Sequence, residues 1–173
     1  MKQYFNVFLM FLLSASTMLF CETNYAAIKN PMGKEALMIE LTGKDPTKVD
    51  ETALYSEIVS AYRRNDEIGF KSRLQTFMTR FSSSSFADNV LYLAGRMAFN
   101  NKNYPEAIKY YQKVITQYPR SNKVVSARMG KGVAYKKMNL SPQAKFVFQD
   151  LRKRYPGSPE AFRAENEMKI LKK

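Results

Sequence analysis

Between Glu51 and the end of the chain, apolar residues recur at three- and four-residue spacing, the period of one helix face. Tyr111, Val114 and Tyr118 form one such run, and Phe148, Leu151 and Tyr155 form another. The two runs stand 37 residues apart, as do Gly95 and Gly132, Ala107 and Ala144, and the pairs Tyr118-Pro119 and Tyr155-Pro156. A fixed period of this length is the mark of stacked supersecondary units. Each marker has a physical reason. Small residues at Gly95 and Ala107 let two helix axes approach. Pro119 and Pro156 cannot continue a helix and so end one. Pro105 and Pro142 stand where a second helix begins, and a missing N–H costs little there. Ser121 and Ser158 follow two residues after the prolines, placed to start or cap the next helix.

One period earlier a worn unit is visible. "ALYSEIVSAYRRND" and "IGFKSRLQTFMTRF" read as its two helices, with Ile58 at the glycine position and Phe70 at the alanine position. Ser82–Ser85 replaces the Tyr-Pro turn and reads as a flexible turn. The units span about 51–85, 86–123 and 124–160. A last helix, Ala161 to Lys172, reads as a cap on the open end within 161–173. The expected fold is all-α: about seven helices in three pairs, stacked as a short right-handed solenoid.

The glycine, alanine, aromatic and proline spacing of 86–123 and 124–160 resembles the tetratricopeptide repeat. Unit ends written "QYPRSNKVVSA" and "RYPGSPEAFRA" are similar to the carboxy-terminal domain of the Tol-Pal system protein YbgF (CpoB) family, over about residues 51–172. The repeats of the outer-membrane assembly lipoprotein family BamD are similar too. The first resemblance implies a periplasmic adaptor with TolA-like or peptidoglycan-synthesis partners in division. Residues 28–50, with Pro31, Gly33, Gly43 and Pro46, are too short and too broken for the amino-terminal coiled coil of that family. They read as a linker with a short helix at Lys34–Leu41.

Stacked helix pairs present a concave surface lined by their first helices. Counting from the glycine markers, that surface takes Tyr55, Val59, Tyr62 and Arg63 from the first unit. The second gives Asn89, Tyr92, Arg96 and Phe99, and the third gives Met129, Val133, Lys136 and Lys137. Aromatic residues and Arg are enriched at protein interfaces. Each of these side chains has the alternative of packing between adjacent units. The Lys/Asn carboxylate clamp of chaperone-binding tetratricopeptide proteins is not reproduced.

The beginning of the chain changes the setting. Lys2 precedes 17 uncharged residues, Tyr4 to Phe20, which read as the basic and apolar regions of a secretory signal over 1–27. Three outcomes stay open: ordinary cleavage after Ala26 or Ala27, a lipoprotein with lipidated Cys21, or an uncleaved anchor. All three place the repeats outside the cytoplasm, in the periplasm.

Charge adds a second surface. The chain has 28 Lys and Arg against 15 Asp and Glu, and 14 against 4 of these fall in residues 120–173. Arg152, Lys153 and Arg154 make a basic patch that favours acidic protein, anionic lipid or acidic glycan; nucleic acid is argued against by the leader. With no His and one Cys, the usual zinc sites and His-dependent catalytic sets are absent. Gly130-Lys131-Gly132 lies inside a predicted helix and fits no nucleotide fingerprint. No cofactor, metal or catalytic residue is expected.

Overall fold

A computed structural model describes residues 49–171. The leader, Cys21, the Lys34–Leu41 helix and nearly all of the linker lie outside the described residues, as do the last two lysines. Seven helices follow in order: α1 (Glu51–Arg63), α2 (Glu67–Arg80), α3 (Ala87–Asn100), α4 (Tyr104–Gln117), α5 (Lys123–Lys137), α6 (Ser141–Arg154) and α7 (Pro159–Ile170). Among the described residues there is no strand. The architecture is a tetratricopeptide-type α-solenoid of three helix pairs and a seventh helix.

Helix starts are set by side chains that satisfy the free N–H groups of a first turn. Asp50 accepts from the Thr52 N–H at 2.9 Å and Asp66 from Gly69 at 2.9 Å. Ser158 accepts from Ala161 at 3.1 Å. Pro105, Pro142 and Pro159 sit in first turns, where the missing donor is harmless.

The turn inside each pair is left-handed. Asn65, Lys102 and Asn139 have φ of 54°, 62° and 58°, one per unit and 37 residues apart. The next N–H reaches back to the first helix: Asp66 to Ala61 O at 2.9 Å, Asn103 to Ala98 O at 2.8 Å, and Leu140 to Tyr135 O at 3.0 Å. This closes the carbonyl end of the first helix. The worn first unit therefore uses the same turn as the other two.

The turn between pairs repeats as well. Ser84 donates to the Glu51 carboxylate and accepts from the Phe86 N–H, and Ser121 does the same with Asp88 and Lys123. Ser84, inside the run expected to be a flexible turn, thus makes the bonds of Ser121. Ser121 starts α5 as expected, its hydroxyl accepting at 2.9 Å from the N–H of Lys123, the first residue of the helix, while the N-cap position itself, Asn122, makes no side-chain capping bond. Ser121 also ties the turn to the preceding first helix.

Each second helix packs against its own first helix and the first helix of the next unit: α4 on α3 and α5, α6 on α5 and α7. First helices also meet in series, α1 on α3, α3 on α5 and α5 on α7. The core runs along these contacts through the fully buried Ile58, Phe70, Phe77, Leu91, Val114, Phe148 and Leu151. Burying one such side chain contributes roughly 1.5–3 kcal/mol. At Gly95 and Gly132 the close approach is real. A Cβ on Gly95 would stand 2.6 Å from the Tyr111 ring, and one on Gly132 would stand 2.4 Å from Phe148.

Candidate functional site

The first helices bring Tyr92 and Phe99 of α3, Met129 and Val133 of α5, and Glu160 and Arg163 of α7 around one cavity of about 180 Å³. Tyr111, Ser126 and Gly130 complete its lining. Residue 130 has no side chain, and a Cβ there would lie 2.7 Å from the Tyr111 ring. Gly130 therefore leaves that ring room at the wall, where it also meets Tyr92 at a centroid distance of 6.0 Å. Phe99 is held edge-on to Tyr104 at 5.4 Å.

The electrostatics are set by partial burial. Burial first, then the neighbouring Tyr92 and Tyr62, push the Tyr111 hydroxyl far above the usual phenol range, with Arg96 opposing. The hydroxyl is thus a neutral hydrogen-bonding group. On the rim, the Glu160 carboxylate accepts from the Ser126 hydroxyl at 2.7 Å. The Arg96 guanidinium lies 5.6 Å from the centroid of the Tyr62 ring, a cation–π distance. Arg63, Arg96, Lys137 and Arg163 are exposed and meet no carboxylate at ion-pair distance among the described residues. The recess is mainly apolar, its own lining charges are Glu160 and Arg163, and exposed cations stand on the same first helices.

Apart from the half-buried Val59, and from Tyr62, Arg63, Arg96 and Lys137 described above, the groove and basic-patch residues read from the sequence divide into three groups. Tyr92, Phe99, Met129 and Val133 do share one cavity, although Met129 is only 4% exposed. Its side chain is a floor that continues into the core with Ala144, Phe148 and Leu151. The second group packs between units. Tyr55 stacks on Phe86 at 4.5 Å and its hydroxyl accepts a hydrogen bond from Asn89. Lys136 is paired with Glu167, joining α5 to α7. The third group lies on the last turn of α6, outside the cavity. There Arg152 meets Glu165 at 3.4 Å, Arg154 meets Asp150 at 2.6 Å, and Lys153 is exposed.

Ser126, Gly130, Glu160 and Arg163 were not read from the sequence. A signal existed for two of them: Asn89, Ser126 and Arg163 are successive positions in the 37-residue register. Reading α7 only as a cap hid the third step. The helix packs on α5 and α6 and is the next first helix of the groove.

No cluster of three or more His, Cys, Asp or Glu able to hold a metal occurs among the described residues. Residues 89–121 and 126–158 match the family model of the tetratricopeptide repeat. The matches cover α3–α4 and α5–α6 with the turns that follow them; α1–α2 and α7 fall outside. No curated protein matches the chain.

Proposed function

We propose that this chain is an exported, non-enzymatic scaffold of the cell envelope. It holds an extended segment of a protein partner in the groove made by α3, α5 and α7. The observation that carries this reading is the recess lined by Tyr92, Phe99, Met129 and Val133 on successive first helices. Its volume of about 180 Å³ is below the ~300 Å³ at which small-molecule sites begin. It suits a single apolar side chain of a partner. The exposed cations Arg96, Lys137 and Arg163 favour acidic residues beside that anchor. The leader over residues 1–27 supports a periplasmic setting. The resemblance to the YbgF family makes Tol-Pal-linked division our first choice of process, with TolA-like or peptidoglycan-synthesis proteins as partners. Cys21 favours a second reading, an accessory lipoprotein of outer-membrane assembly or secretion.

The test compares the parent with Tyr92→Ala/Phe99→Ala, each immobilised and exposed to the same envelope extract. Partners retained by the parent and missing from the folded variant support the groove. An identical set from both defeats it. Sequencing the amino terminus of the mature protein separates cleavage after Ala26 or Ala27 from processing at Cys21, and an intact Met1 would mark an anchor.

A further inference from the structure

The outer stripe of α6 carries Lys145, Phe146, Gln149, Arg152 and Lys153, all exposed. They lie on the helix side opposite the buried Ala144, Phe148 and Leu151, and therefore point away from the groove. Phe146 is 72% exposed. Across the open cleft between α6 and α7, Phe162 is 64% exposed and faces Gln149, Arg152 and Lys153. That cleft holds about 400 Å³. On the other flank of α6, Phe146 shares a second cleft with Lys131 and Tyr135. Aromatic and cationic side chains thus alternate across three helices.

A solvent-facing stripe must be wetted, and this explains part of the pattern. Lys145 and Arg152 stand where the preceding unit has the half-buried Ile108 and Ile115. It does not explain Phe146; Phe162 keeps the apolar character of the half-buried Val125 at its position in the preceding unit. Phe146 stands where the preceding unit has the exposed Lys109. A face selected only for solubility would keep that lysine. Lys145 and Lys153 meet no carboxylate at ion-pair distance among the described residues, and Glu165, the acid in the α6–α7 cleft, is shared by Arg152 and Lys169.

We propose that this convex face docks on an anionic phospholipid surface. Phe146 and Phe162 enter the headgroup layer, and Lys145 and Lys153 meet lipid phosphates. Charge complementarity selects the sign of the partner, and shape selects its class. The clefts that flank α6 are open, and a headgroup layer can take both exposed rings and both lysines at once, which a single peptide side chain cannot. Exposed aromatics with flanking lysines are the composition of surface-lying membrane elements. The groove lies on the other side and stays open to a protein while the convex face is docked, so this inference does not rest on the groove reading.

The chain has no Trp, so a single introduced Trp reports from one place. Phe146→Trp, Phe162→Trp and, as a groove control, Tyr92→Trp are made in the full chain. Each is mixed with phosphatidylcholine vesicles with or without phosphatidylglycerol, the acyl chains brominated in parallel samples. Because the signal is local, lipid contact by the leader does not produce it. The two convex-face variants are expected to shift to shorter wavelength and to be quenched by the brominated chains on anionic vesicles, and much less on neutral ones. The Tyr92→Trp variant stays unchanged. Adding Lys145→Gln and Lys153→Gln, with circular dichroism unchanged, raises the lipid concentration needed for that signal roughly tenfold or more. Four results would each overturn the proposal: no shift on anionic vesicles, an equal shift on neutral vesicles, an equal shift in the groove control, or a shift with a soluble acidic glycan or acidic peptide in place of vesicles.

Discussion

Gly132 and Phe148 meet so closely that a Cβ on the glycine would stand 2.4 Å from Cε1 of the ring. Phe148 is fully buried, so the ring has nowhere to go. The glycine costs about 1 kcal/mol of helix propensity relative to alanine. The close approach reverses the usual sign of that substitution. Gly132→Ala is expected to destabilise by about 1–3 kcal/mol, as overpacking does. Ala144→Leu, at a position with no exposure on the facing helix, is expected to do the same. Melting curves of residues 51–173 decide it, and an unchanged or raised melting temperature for both would mean that α5 and α6 are not in close contact there.

The left-handed residue of each turn gives a prediction of opposite sign. Lys102 has φ of 62°, a conformation that costs a side chain with a Cβ ~1–2 kcal/mol. Asn65 and Asn139 tolerate it better. Lys102→Gly is expected to stabilise by about 0.5–1 kcal/mol, after the entropy that glycine adds to the unfolded chain. Asn139→Gly should gain less. Urea midpoints at constant slope would measure both, and a loss of stability in Lys102→Gly would remove the left-handed turn from the account.

Tyr111 gives the alkaline limb a definite direction. Its folded pKa is raised by burial above the ordinary phenol value of 10.0. The fold therefore favours the neutral phenol. That contribution is fully present below about pH 10, the unfolded value, and is lost as pH rises through the folded value. Tyr110 and Tyr118 are raised in the same sense, also by burial. Above about pH 10 the parent should lose stability, and Tyr111→Phe should lose it less steeply, by up to about 1.4 kcal/mol per pH unit. Parallel curves for the two proteins would mean that the hydroxyl is solvated.

The repeat was legible because its markers are backbone constraints. Gly95, Gly132, Pro119 and Pro156 occupy places where few other residues fit, so their spacing carries the fold even where the worn unit has lost them. Surface fate is not written that way. Met129 and Tyr92 are in register, yet Met129 joins the buried cluster with Ala161, Ala164 and Met168 of α7, while Tyr92 stays half-buried beside the Tyr111 ring. Lys136 reads as a free groove cation in the sequence, and only the fold brings Glu167 of α7 to it. Phe146 and Phe162 read as ordinary helix residues, since apolar character alone does not say which side of a helix is exposed. Lys169 explains why α7 was not counted as a unit. It stands at the Gly95 and Gly132 position, and a long side chain fits there because no following second helix among the described residues presses an aromatic ring on it.

The groove reading predicts a split between dissociation and association. Tyr92 and Phe99 supply apolar area at a recess whose walls are held by Tyr104, Tyr111 and Gly130. Removing both side chains by Tyr92→Ala/Phe99→Ala should cost ~2 kcal/mol or more of partner binding if they are anchors. That cost should show as faster release, since truncating side chains inside an interface changes release far more than encounter. The cations act otherwise. Lys137 and Arg163 are exposed and meet no carboxylate at ion-pair distance among the described residues, so they steer an acidic segment from a distance. Exposed charges are screened within about 8–10 Å near physiological salt. Lys137→Glu/Arg163→Glu should therefore slow association, and the difference from the parent should shrink as salt rises. Lys136→Glu is a different experiment. It breaks the Glu167 pair that joins α5 to α7, so it should lower the melting temperature as well as binding. Binding kinetics for a captured partner at two salt concentrations separate these effects. Should Tyr92→Ala/Phe99→Ala release every partner at the parental rate while Lys137→Glu/Arg163→Glu abolishes binding, the recess is not an anchor site and the exposed cations alone hold the partner.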